Sequence, residues 1–170
     1  MIRHEMDIPA DVLLGLAEDL KAAPSVRLQT LRLLGRSHAE AISVLRTLRN
    51  AAGEGNPSEV RIEAVGQLFA RDVNAAMEAA RAILDSKSAK AAEKQAVIAF
   101  LKDRKDEASA QLVRDLAGRL AARKLDSGLK LDVYLLARDS ADPALAPSLR
   151  SYLASGSKTG LRLASPDLPY

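Results

Sequence analysis

One phrase returns four times along the chain, each time at the opening of a helix-like block. Val26-Arg27-Leu28-Gln29-Thr30-Leu31 is followed by Val60-Arg61-Ile62-Glu63-Ala64-Val65, by Glu93-Lys94-Gln95-Ala96-Val97 and by Leu129-Lys130-Leu131-Asp132-Val133. Measured between the phrase-ending Leu31, Val65, Val97 and Val133, the offsets are 34, 32 and 36 residues. A recurrence of this length marks a helical repeat array, in which each unit is too small to bury its own apolar face and stacks on its neighbours. The feature constrains architecture strongly and chemistry hardly at all.

Punctuation between the phrases is helical. Ser37-His38-Ala39-Glu40 and Asn56-Pro57-Ser58-Glu59 have the form of capping boxes, the second with Pro at the first helical position. Pro24-Ser25 and Asp142-Pro143 repeat the theme, while Gly35, Gly53, Gly55 and Gly156 mark stops. These signals predict helices near 10–22, 25–35, 38–52, 57–70, 73–86, 89–102, 106–124, 128–138 and 143–155. They pair into units at 25–52, 57–86, 89–124 and 128–155, with 10–22 left as the second helix of an incomplete unit. Apolar stripes are expected from Val60, Val65, Leu68 and Phe69, from Val97, Ala99, Phe100 and Leu101, and from Val133, Leu135 and Leu136. On the second helices the opposing stripes are Ile42, Leu45 and Leu48, then Met77, Ala80, Ile83 and Leu84.

The expected fold is therefore all-α: a right-handed α-solenoid of about four helical hairpins plus a leading helix, spanning 1–155, with 156–170 as a flexible tail or linker. Composition agrees, since apolar residues make up 48% of the chain but aromatics only 3%. That balance favours Ala- and Leu-rich helices over strands. No apolar run is long enough to span a bilayer, and residues 1–7 do not form an export signal. The absence of cysteine excludes disulfides, thiolate metal sites and covalent haem attachment.

The alternation of units, with Ser25-Val26-Arg27, Glu59-Val60-Arg61-Ile62-Glu63-Ala64-Val65 and Ala92-Glu93-Lys94-Gln95-Ala96-Val97, resembles HEAT repeats. Ala91-Ala92-Glu93-Lys94-Gln95-Ala96, Asp115-Leu116-Ala117, Leu120-Ala121-Ala122-Arg123-Lys124-Leu125 and Leu129-Lys130-Leu131-Asp132-Val133 resemble something narrower. That is the HEAT region of large bacterial quinoprotein-glucose-dehydrogenase-like proteins. The resemblance implies an exported multidomain protein, with a β-propeller before the helical repeats and a c-type cytochrome after them. This chain contains neither a propeller nor a haem-attachment motif, so no catalytic or cofactor-binding residue carries over. The compartment would be periplasmic or extracellular if the resemblance holds, and cytoplasmic otherwise.

Candidate chemistry is sparse. His4 and His38 are the only histidines, and neither has convergent carboxylates in sequence to make a metal site or a general base. The turn cluster Lys102-Asp103-Arg104-Lys105-Asp106-Glu107 aligns with Arg71-Asp72 and Arg138-Asp139, and reads as a unit-to-unit charge ladder rather than paired catalytic carboxylates. Arg27, Arg61, Lys94 and Lys130 recur once per unit, either as caps and ladder members or as an edge that meets an anionic partner. Gly156-Ser157-Lys158-Thr159-Gly160 lacks the P-loop spacing and a preceding strand. No catalytic, cofactor-binding or metal-binding residue is therefore assigned, and no cofactor.

The function that follows is a non-catalytic helical-repeat scaffold or protein-interaction segment, a fragment or relative of the exported dehydrogenase-like proteins. Its partner would be a protein or the neighbouring domains of a larger chain, met by the second helices near 38–52, 73–86, 106–124 and 143–155. The alternative is a HEAT-like nucleic-acid-binding protein such as a DNA glycosylase. Against it stand the intermixed charges, the net charge of only +3 and the absence of Trp.

Overall fold

A computed structural model describes residues 8–37 and 40–156, and these are all-helical, with no strand among them. The helices are α1 (Ala10–Glu18), α2 (Pro24–Arg36), α3 (Ala41–Ala51), α4 (Ser58–Arg71), α5 (Val73–Asp85), α6 (Ala91–Phe100), α7 (Glu107–Ala121), α8 (Lys130–Asp139) and α9 (Ala146–Gly156). Short 3-10 turns, Ser127–Leu129 and Pro143–Leu145, lead into the last two. His4, His38, the first seven residues and the tail from Ser157 lie outside the described residues.

The chain forms two compact units, Met1–Phe100 and Leu101–Tyr170. The division falls between α6 and α7, inside the stretch 89–124 that reads in sequence as one hairpin. In the first unit α1 lies against α2 and α3, and α2 and α3 both pack on α4. Helix α4 also carries α5 and α6 and is the centre of this unit. Val60, Ala64, Val65 and Leu68 on α4 are completely buried. Gly66, in the middle of α4, leaves room for the Phe100 ring: a Cβ there would stand 3.1 Å from the ring tip. Phe100 in turn lies 5.9 Å from Phe69, ring centre to ring centre, in a tilted pair. In the second unit α7 packs against α8 and α9 through Leu112, Leu116 and Leu120, and Tyr134 meets Tyr152 at 6.0 Å.

Several expected details differ. Helix α1 ends at Glu18, not near 22. Asp19 accepts a hydrogen bond from the Lys21 N–H at 2.8 Å, and Ala23, which precedes a proline, is extended. The capping box at Asn56-Pro57-Ser58-Glu59 is not formed: α4 starts at Ser58 behind Pro57 without a side-chain cap. Ser37 serves the end of α2, its hydroxyl donating to the Leu34 carbonyl at 2.9 Å, and Glu40 precedes α3 without capping it through its side chain. The stripes shift too. Ile42 is 75% exposed while Val44 is buried, and on α6 Ile98 is buried in place of Ala99.

Candidate functional site

The turn acids act mainly on their own helices. Asp72 accepts from the Ala75 N–H at 3.0 Å, Asp106 from the Ser109 N–H at 2.9 Å and Asp142 from the Ala144 N–H at 2.9 Å. Each thus satisfies an orphan donor of the helix or 3-10 turn it precedes. Two of them also take an arginine from an earlier helix. Arg49 reaches Asp72 at 3.1 Å, and Arg114 reaches Asp142 at 2.7 Å. Arg104 instead pairs locally with Asp106 at 2.8 Å, and Arg138 with its neighbour Asp139 at 2.7 Å.

These contacts move proton affinities. The Arg114 hydrogen bond and the Ala144 N–H hold the Asp142 carboxyl below its ordinary value of 3.8. The same hydrogen bond to Asp142 raises Arg114. At Asp106 burial pushes upward, but the Ser109 N–H and hydroxyl together with Arg104 outweigh it, and the carboxyl ends lower than 3.8.

The once-per-unit basic residues do not line an open edge. Arg27 and Arg61 are each the fourth residue of their helix and are only 3% and 4% exposed. Each donates its Nε–H backward to a carbonyl at the end of an earlier helix: Arg27 to Ala17 at 2.9 Å, Arg61 to Ala52 at 3.3 Å. Such a bond fills one of the carbonyls a helix C-terminus leaves open. Each also reaches forward. Arg61 Nη1 stands 3.0 Å from Glu93 Oε1, and Ser58 donates to the other Glu93 oxygen at 3.1 Å. Arg27 Nη2 donates to Asn56 Oδ1 at 2.7 Å. Lys94, fourth on α6, is also buried, while Lys130 is half-exposed.

A third arginine, at the end of α4, joins the pattern. Arg71 Nη2 donates to the carbonyls of Leu34, Gly35 and Ser37 at 3.0, 3.1 and 3.3 Å, closing the end of α2. Sequence reading placed Arg71 in a surface charge ladder; its bonds to the end of α2 follow only once α2 is known to pack on α4.

Asn56 was read as a cap and turns out to be a keystone of the turn before α4. Its amide donates to the Asn50 and Gly53 carbonyls at 2.9 and 3.3 Å and leaves its oxygen for Arg27. In front of this pair, among α1, α2 and α3, opens a cavity of about 320 Å³ whose walls include Glu18, Arg27, Thr47, Gly55 and Asn56. Thr47, itself buried, donates to Glu18 Oε1 at 2.7 Å.

Among the described residues no group of three or more His, Asp or Glu side chains is placed to hold a metal ion. No described helix is long and apolar enough to cross a membrane. No family model, curated protein or solved structure matches this chain.

Proposed function

We propose that the chain is a right-handed α-solenoid segment of HEAT-like hairpins that serves as a non-catalytic scaffold for protein contact. The observation that supports it is the arginine joint built twice in the same way, at Arg27 and at Arg61. Each side chain is fixed at the fourth position of its helix, ties back to an earlier helix end and reaches forward to the next unit. Repetition of a joint, with the side chains between joints drifting freely, is what an array selected for stacking retains. Within the first unit the second helices of the hairpins, α3 and α5, present the contact face in this reading.

The narrower reading is kinship with the helical region of exported dehydrogenase-like proteins, whose redox chemistry would lie in other domains. It rests on the resemblance of residues 91–133 alone. The coding context tests it: a propeller-coding segment upstream and a haem-attachment motif downstream in one reading frame are expected, and an unrelated context would remove the reading. The nucleic-acid alternative gains nothing from the basic residues that recur, because Arg27 and Arg61 are spent on internal carbonyls. A gel-shift titration with duplex DNA at low salt separates the two. A scaffold leaves the duplex unshifted, whereas salt-sensitive retardation would make the chain a nucleic-acid binder.

A further inference from the structure

Arg27 on α2 and Arg61 on α4 occupy the same place in their helices, yet their charges meet different fates. Arg61 is neutralised by Glu93, the third residue of α6. The third residue of α4, where Arg27 would find the corresponding carboxylate, is Val60. Arg27 is left with a neutral amide, Asn56, and no ion pair among the described residues. A charged side chain on so buried a residue, without an ion pair, is costly.

The Arg27 Nη1 makes no hydrogen bond to the described residues. Arg27 helps to line the 320 Å³ cavity in front of it. Glu18, anchored through one oxygen by Thr47, lines the same cavity. Ala17, Leu20 and Ala51 supply an apolar wall. A cation and an anion facing one small cavity with an apolar side select a molecule carrying both opposite charges.

We propose that this cavity binds a small zwitterion, a free α-amino acid with an apolar side chain. Its carboxylate takes the place that Glu93 fills for Arg61, its ammonium group pairs with Glu18, and its side chain lies on the Ala17–Leu20–Ala51 wall. The site is independent of the scaffold reading, and either can fail without the other.

The test is a set of three titrations of the full chain followed by amide chemical shifts at constant ionic strength. The probes are L-leucine, 4-methylpentanoate, which lacks the ammonium, and isopentylamine, which lacks the carboxylate. Leucine is expected to shift the amides of Thr47, Gly55 and Asn56 saturably, with each one-charge probe about tenfold weaker or worse. Gly55→Phe adds a bulky ring at a residue that lines the cavity, and a Cβ there meets nothing within 4 Å. It should abolish the leucine shifts while the circular dichroism stays that of the parent. Glu18→Gln should erase the preference for leucine over 4-methylpentanoate and leave a carboxylate response. Absence of leucine shifts, equal binding of leucine and 4-methylpentanoate to the parent, or leucine binding undiminished by Gly55→Phe would each overturn the proposal.

Discussion

At the scale of single residues, the informative side chains are buried charges that a hydropathy pattern assigns to the surface. The once-per-unit spacing of Arg27 and Arg61 was legible, and so was their role as caps. Their burial was not, because it depends on which earlier carbonyl lies within reach. Glu93, the third residue of α6, is 2% exposed. Removing one member of a buried pair strands the other. Glu93→Ala should therefore cost about 3–5 kcal/mol in urea unfolding, whereas the paired change Arg61→Met with Glu93→Leu should recover most of the loss. If the double variant is as unstable as the sum of its parts, the ion pair is not the term that matters. Arg123 makes a second case. It stands at φ 58° just after α7, with Lys124 N–H bonded to the Arg119 carbonyl and Arg123 N–H to Leu120. That closing loop favours glycine at the left-handed position. Arg123→Gly should raise stability by about 0.5–1 kcal/mol, less whatever the exposed Arg123 bond to the Ser155 carbonyl contributes. Equilibrium unfolding of the variant checks the sign.

At the scale of elements, all nine helices among the described residues lie where proline, glycine and apolar spacing put them, most within three residues at each end. The misplaced features were caps. Asn56 carries every sequence mark of an N-cap, but Arg27 competes for its oxygen and two carbonyls for its amide. Asp72 and Asp106, read as ladder charges, cap their own helices instead, and Asp142 caps as its place before Pro143 implied. Asp72→Ala and Asp106→Ala should each cost about 1 kcal/mol, measured as a shift in urea midpoint at unchanged slope. The acids also set an acid limit. Asp106 and Asp142 have carboxyls lowered in the folded chain, so the ionised form is favoured by folding. Their contribution is complete above the unfolded value near pH 4 and is lost as pH falls through the lowered folded values. Thermal midpoints followed from pH 7 to pH 2 should drop in that acid window, and Asp142→Asn should flatten the drop. An equally steep fall in the variant would assign the acid sensitivity elsewhere.

At the scale of the molecule, the sequence pattern runs evenly through four repeats, while the contacts gather into two units. Period and stripe are local properties; where contacts thin out depends on the particular side chains that face one another, which a periodicity does not encode. Within Met1–Phe100 the helices are unequal. Helix α4 is enclosed by α2, α3, α5 and α6, whereas α1 keeps Val12 and Leu16 exposed along one side. Native-state hydrogen exchange should find the slowest amides of this unit on α4 and the fastest helical ones on α1. Equal protection of the two would mean that the unit opens only as a whole. The forward reach of Arg27 carries one more consequence, for how such a chain changes by loss of a repeat. Excising 58–90 would join Pro57 directly to Ala91 and bring Glu93 to the third helical position that Val60 holds now. The deletion would thereby hand Arg27 a carboxylate and exchange an open cavity for a closed ion pair. In this chain a repeat's worth of sequence separates a self-sufficient joint from one that leaves room for a visitor.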